Sequence, residues 1–234
     1  MEARLGPFGP RFSRLGAWGE LDKVFCRTGS TGYRHRGNGR SEKEAMQSVE
    51  LFPVSRAAEV LDFWFGECGP DKWFAGDVAF DREVARRLGS WHKRACGGSC
   101  EAWRGTPEGS LALILLWDQV SRHLDRGTAL AFAWDEAARG LCEGALAAGH
   151  DRALSTAVEK LFLYLPLEHS EDLADQEASV RLISALGNRD WTDYAVRHRD
   201  IVVRFGRFPH RNQALGRAST AEELAFLQQP GSSF

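Results

Sequence analysis

From residue 55 onward the apolar positions recur with the period of an α-helix. The spacing predicts a short helix over 57–65, ended by Gly66. Phe80, Val84, Leu88, Trp91 and Ala95 fall at i, i+4, i+8, i+11 and i+15, one face of a second helix that Gly97-Gly98 stops. Thr106-Pro107 reads as an N-cap followed by proline at the first helical position. The helix it opens runs to about Arg122 and is apolar almost all round in the middle, so it should be central and buried. Further helices are predicted over 130–148, stopped by Gly149, and over 153–165, cut by Pro166. Two more are predicted over 170–186, with Gly187 behind, and over 192–205, with Gly206 behind. Thr220 with Glu223 three residues on is a capping box for a last short helix, closed by Pro230. Phe234, behind this turn, is expected to dock on the fold. Hairpin dipeptides flanked by alternating residues are absent, so the pattern points to an all-α, antiparallel helical-hairpin array with no sheet.

The first 45 residues follow no such period. Eight of them are Gly, and Arg34-His35-Arg36-Gly37-Asn38-Gly39-Arg40 is typical of the text, so a disordered extension over 1–45 is expected beside one helical domain over 46–234. Met46, ten residues before the periodic region, is a candidate true start. The extension holds nine Lys/Arg against five Asp/Glu, whereas the remainder holds 21 against 27. The domain is thus mildly acidic, which argues against a nucleic-acid partner. Its longest apolar run, Leu111 to Trp117, is seven residues, against the ~20 a membrane span requires. Five scattered cysteines (Cys26, Cys68, Cys96, Cys100, Cys142) lead us to expect a reducing, cytoplasmic setting. Cys96 and Cys100 are spaced too loosely for a redox pair, and no second pair exists for zinc.

Several longer motifs carry a resemblance. Trp73-Phe74 with Phe80-Asp81, Leu113 to Gln119, Phe162 to Asp172, His198-Arg199-Asp200, Arg204 to Asn212 and Pro230 to Phe234 resemble the family called domain of unknown function 924, over about residues 57 to 234. The resemblance implies an all-α, tetratricopeptide-repeat-like fold and no particular reaction. At Val120-Ser121-Arg122-His123 the chain departs from the family's Phe-Pro-Arg-Asn tendency, which weighs against a role for His123.

Within these motifs, three predicted helices turn ionisable side chains inward. On the helix over 170–186, Leu173, Val180 and Ile183 mark the core face, with His169 and Gln176 on the same side and Asp172 flanking. On the next helix Tyr194, Ile201 and Phe205 mark the core face, with His198 among them and Arg197 and Arg204 flanking. On the central helix Asp118 and Arg122 share a stripe with Leu111 and Leu115 and can pair at i, i+4. A buried charge costs several kcal/mol unless it is paired or hydrogen-bonded, so these groups must meet one another or line a wet cavity.

Three readings follow. A binding module would hold an anionic small molecule or acidic peptide on Arg204, Arg207, His210 and Arg211, with Asp118, Arg122, His169, Asp172 and His198 completing the site. A hydrolase-like enzyme would use His169 or His198 as general base, oriented by Asp118 or Asp172. A purely structural ionic network would lock the helices in register. His169, Asp172 and His198 are chemically suited to a metal, but no H-E-x-x-H is present, the spacing is not diagnostic and the nearby arginines would repel a cation; no metal or cofactor is assigned. Nucleophile-elbow, P-loop and dinucleotide fingerprints are absent, and His198-Arg199-Asp200 lacks the rest of a kinase site.

Overall fold

The computed structural model describes residues 51–233, which belong to the unit Ser48–Phe234, one of two into which the chain divides. The expectations for residues 1–45, for a start at Met46 and for the docking of Phe234 lie outside the described residues.

The described residues form helices α1 (Ala57–Leu61), α2 (Pro70–Trp73), α3 (Val78–Cys96), α4 (Pro107–Ile114), α5 (Ser121–Leu124), α6 (Asp135–Ala148), α7 (His150–Ala153), α8 (Ala157–Glu168), α9 (Leu173–Ser184), α10 (Arg189–Phe205) and α11 (Ala221–Leu227), with no strand among them. Wider π-helical turns prolong α1 over Asp62–Glu67 and α4 over Leu115–Val120. Local chemistry sets many of the boundaries. The Asp77 carboxylate accepts from the Ala79 amide at 2.8 Å to start α3, whose buried face is Phe80, Val84, Leu88, Trp91 and Ala95 as the spacing predicts. Thr106 accepts from Gly109 N at 3.1 Å to start α4. A side chain at Gly109 could not fit, since its Cβ would lie 2.2 Å from the Trp103 carbonyl oxygen.

Every residue from Gly109 to Ser121 is buried, so the central position expected of this helix holds. It and the elements around it supply the main core, including Trp64, Trp103, Trp117, Phe162, Leu88 and Leu163, each under 3 % exposed. A smaller cluster of Ile201, Val202 and Phe208, with Phe205 and Phe226 against it, lies at the C-terminal end. Fully burying an aliphatic or aromatic side chain of this size stabilises by roughly 1.5–3 kcal/mol, so the main core dominates the favourable side of folding.

Several boundaries differ from the sequence reading. The helix predicted from 130 begins at Asp135, because residues 129–132 wind as a tighter 3-10 turn and leave Leu130 exposed. The helix expected to break at Pro166 begins at Ala157, behind a Thr156–Glu159 capping box, and runs through the proline to Glu168. The Gln176 amide caps its end, donating to the carbonyls of Glu168 and Ser170 at 2.6 Å each. His169 therefore terminates α8 rather than opening α9. Leu173 is 44 % exposed and Tyr194 is 52 % exposed, so neither marks a core face. The inward positions are Gln176, Ser179 and Ile183 on α9, and Ala195, His198, Ile201 and Val202 on α10.

Candidate functional site

The polar cluster assembles where the π-turn of α4, the end of α8, the middle of α10, the start of α6 and the 3-10 turn Pro209–Arg211 meet. Asp118 lies at its centre, fully buried on the π-turn, a departure from α-geometry that often accompanies functional positions. Its Oδ1 is 2.7 Å from His169 Nδ1 and 3.2 Å from Arg122 Nη1, and its Oδ2 accepts from Gln119 Nε2 at 2.7 Å. A carboxylate only accepts, so Nδ1 of His169 carries the proton and Nε2 is the basic nitrogen. Arg122 also donates to the Asp118 carbonyl and grips Asp135 with both amino groups, at 2.9 and 3.0 Å. Asp135 Oδ2 accepts in addition from Arg211 Nη1 at 3.2 Å.

Beside this dyad, Glu168 Oε1 is 3.3 Å from His198 Nδ1, which itself donates to the Tyr194 carbonyl at 2.9 Å. The His169 and His198 rings are 6.1 Å apart. Glu168, His169 and His198 each offer a ligand atom within 4.8 Å of the others, the one set among the described residues with metal-like spacing.

The electrostatics separate the two carboxyl groups. Burial would raise Asp118, but Arg122, His169 and Gln119 outweigh it and hold the carboxylate below its usual range. Burial, and after it the Asp118 charge, pushes Glu168 up to about 8. Burial also lowers His169, with Arg122 and Arg211 adding to the shift and Asp118 opposing it. At neutral pH the dyad is therefore a carboxylate against a neutral imidazole. His198 and His210 are each pushed down to about 3, by burial first, then by His169 for His198 and by Arg211 for His210.

A family model described as "Bacterial protein of unknown function (DUF924)" matches residues 60–231. The chain belongs to that family. A solved structure described as a protein of unknown function, ATU0120, from Agrobacterium tumefaciens is 43% identical to this DUF924 protein, covering 75% of this chain and 98% of that one with a TM-score of 0.71. No curated protein matches the chain.

The residues singled out from the sequence fall into two groups in this DUF924 protein. Asp118, Arg122, His169, His198 and Arg211 come together. Asp172 does not join them: it is exposed, and its carboxylate caps α9 by accepting from Ala174 N at 2.7 Å, so it orients no imidazole. Arg204 is half exposed, pairs with Glu222 at 2.7 Å and stacks on Phe205 and Phe226. Arg207 grips the buried Glu223 at 2.6 and 2.8 Å, tying α11 to the turn after α10. Arg199 pairs with Asp200, whereas His210, on the Pro209–Arg211 turn, stays beside the cluster and lies against Phe208 with ring centroids 5.7 Å apart. His123 is held by Asp81 at 2.7 Å in a separate buried network with Arg126.

Glu168 and Asp135 were missed. Glu168 stands next to His169 in the same motif, but a helix expected to end at Pro166 gave it no inward direction. Asp135 opens α6, and its acidic side chain at a helix start reads from sequence as dipole compensation.

Proposed function

We propose that this protein is a general-base enzyme, hydrolase-like in its chemistry, in which Asp118 orients His169. The observation that carries the reading is the 2.7 Å contact between His169 Nδ1 and an Asp118 carboxylate fixed by Gln119 and Arg122. Such a carboxylate selects the tautomer, aims Nε2 and stabilises the imidazolium that forms when the base takes a proton from water. His169 keeps 14% of its side chain exposed. Glu168, protonated at neutral pH, and His198 stand alongside as groups of different proton affinity, the separation that acid–base sites use. The binding reading through Arg204 and Arg207 has less support, because acidic partners already neutralise both. The structural-network reading draws on the same dense pairing. Reduced thiols at Cys68, Cys96, Cys100 and Cys142 are consistent with a cytoplasmic setting, and no helix among the described residues is long and apolar enough to cross a membrane.

The test is a panel of ester, amide and phosphoester substrates assayed with the wild type and His169→Gln. A wild-type hydrolysis that falls roughly 10²–10⁴-fold in the variant, with the fold intact, supports the base. Equal rates in both proteins, or no hydrolysis of any class alongside a large loss of stability in His169→Gln, leave a structural network.

A further inference from the structure

Arg211 is buried with only part of its bonding capacity used. Its side chain is 8% exposed, and its hydrogen bond is Nη1 to Asp135 Oδ2 at 3.2 Å. Nε is buried with no acceptor, although a guanidinium carries five N–H donors. The neighbouring Arg122 is differently placed: it takes both oxygens of Asp135, an oxygen of Asp118 and the Asp118 carbonyl. Arg122 thus holds most of the acceptor capacity that the two guanidinium groups share. Phe132 and Phe208 fix the plane of Arg211, at 4.8 and 4.6 Å from its central carbon. A guanidinium held between two rings has lost most of its freedom and hydration before any ligand arrives, which makes it a preorganised fork for a planar or tetrahedral oxyanion.

We infer that Arg211 receives an oxyanion of the substrate, a carboxylate or phosphate group, beside the His169 ring, an inference that rests on the general-base reading of that histidine. Arg122 and Asp135 keep 20% and 21% of their side chains exposed and, with His169, mark the side from which the anion enters. Arg211 acts as a positive charge on His169, His198 and His210, and Arg122 on two of them, with Asp118, Asp135 and Glu171 opposing the two arginines. The same field opposes a divalent cation on Glu168, His169 and His198. A substrate anchored at Arg211 would present a bond near its charged end to the water that His169 activates.

The experiment uses the full chain and titrates inorganic phosphate and, separately, acetate against chloride at fixed ionic strength. The readouts are the melting temperature and the NMR titration of His169. The expected result is saturable stabilisation at millimolar anion together with a rise in the His169 pKa, since an added negative charge favours imidazolium. Arg211→Gln should abolish both, and Arg211→Lys, which keeps charge but loses the fork, should weaken binding about tenfold or more. Preference for phosphate over acetate, or the reverse, assigns the substrate group. His169→Gln should still bind the anion, so loss of the base and loss of the anion site are separable. The inference is overturned by non-saturable effects, by equal binding in wild type and Arg211→Lys, or by stabilisation with zinc and not with either anion. Where Arg211→Gln fails to fold, the Arg211→Lys comparison decides.

Discussion

Replacing Glu168 by Gln removes a buried carboxyl group at the end of α8 whose Oε1 is 3.3 Å from His198 Nδ1. In the folded protein that carboxyl is raised from 4.5 to about 8. It therefore binds its proton more tightly folded than unfolded. The stability it contributes is fully present below pH 4.5 and is lost as pH rises toward about 8. The slope between those limits is about 1.4 kcal/mol per pH unit. His198 and His210, pushed down to about 3, act with the opposite sign: stability falls as pH drops below about 6.5, where the unfolded imidazoles gain protons. The raised thiols of Cys96, Cys100 and Cys142 enter only near pH 8.5 and above, where unfolded thiols ionise. Burial lowers His92, His123 and His169 as well, so from about pH 6.5 to 8 the histidines offset much of the Glu168 loss, and the Glu168 share, about 1.5 kcal/mol, is read as the difference between variant and wild type. That difference corresponds to roughly 3–6 °C in melting temperature for a domain of this size. Glu168→Gln keeps an oxygen for His198, should be about 3 kcal/mol more stable than the wild type at pH 7, and its advantage should grow from pH 6.5 to 8, the histidines contributing equally to both proteins. Thermal melts at fixed ionic strength, in half-unit steps from pH 6.5 to 8, make the comparison. Parallel profiles, or a variant less stable at pH 7, would refute the reasoning by showing Glu168 ionised and paired in the folded state.

Other changes test other parts of the account. Leu115→Asp places an unpaired carboxylate at a position with 0% exposure and should abolish soluble expression; normal yield and helical circular dichroism would show the central helix is wrongly placed. Asp172→Ala removes the α9 cap and should cost about 1 kcal/mol while leaving the His169 titration unmoved, whereas a shifted titration would return Asp172 to the site. Arg207→Ala should lower the melting temperature more than Arg204→Ala, since Arg207 pairs with the buried Glu223 and Arg204 with the exposed Glu222; the reverse order would contradict the role given to the capping box of α11.

Much of the helical array was legible because periodicity and caps act locally. The i, i+4 spacing of Phe80 to Ala95, the Thr106-Pro107 start and the Thr220–Glu223 box all appear where the sequence places them. The Asp118–Arg122 pair was legible for the same reason, being a one-turn contact on a helix apolar all round. The boundary at Pro166 was not, because every α8 residue from Leu161 to Glu168 is buried against other elements, and tertiary packing overrides the local preference of proline. That one error moved His169 onto the wrong helix, hid Glu168, and made Asp172 look like part of the cluster. Crowding of arginines near the C-terminus was equally ambiguous, since their partners Glu222, Glu223 and Asp135 are distant in sequence or on other elements. Of the arginines proposed for an anion, Arg211 and Arg122 reach the cluster, and nothing in the local pattern distinguishes them from Arg204 and Arg207.

The most direct test of the central claim is the NMR titration of the His169 imidazole in the wild type and in Asp118→Asn. The account predicts a neutral ring at pH 7, protonated on Nδ1, with a pKa below 6.5, because burial and the two arginines outweigh Asp118. It also predicts that Asp118→Asn lowers that pKa further and removes the downfield Nδ1 proton signal expected of a short hydrogen bond to a carboxylate. A His169 pKa above 6.5, or a titration unchanged by Asp118→Asn in a folded protein, would contradict the Asp118–His169 dyad on which the proposed chemistry depends.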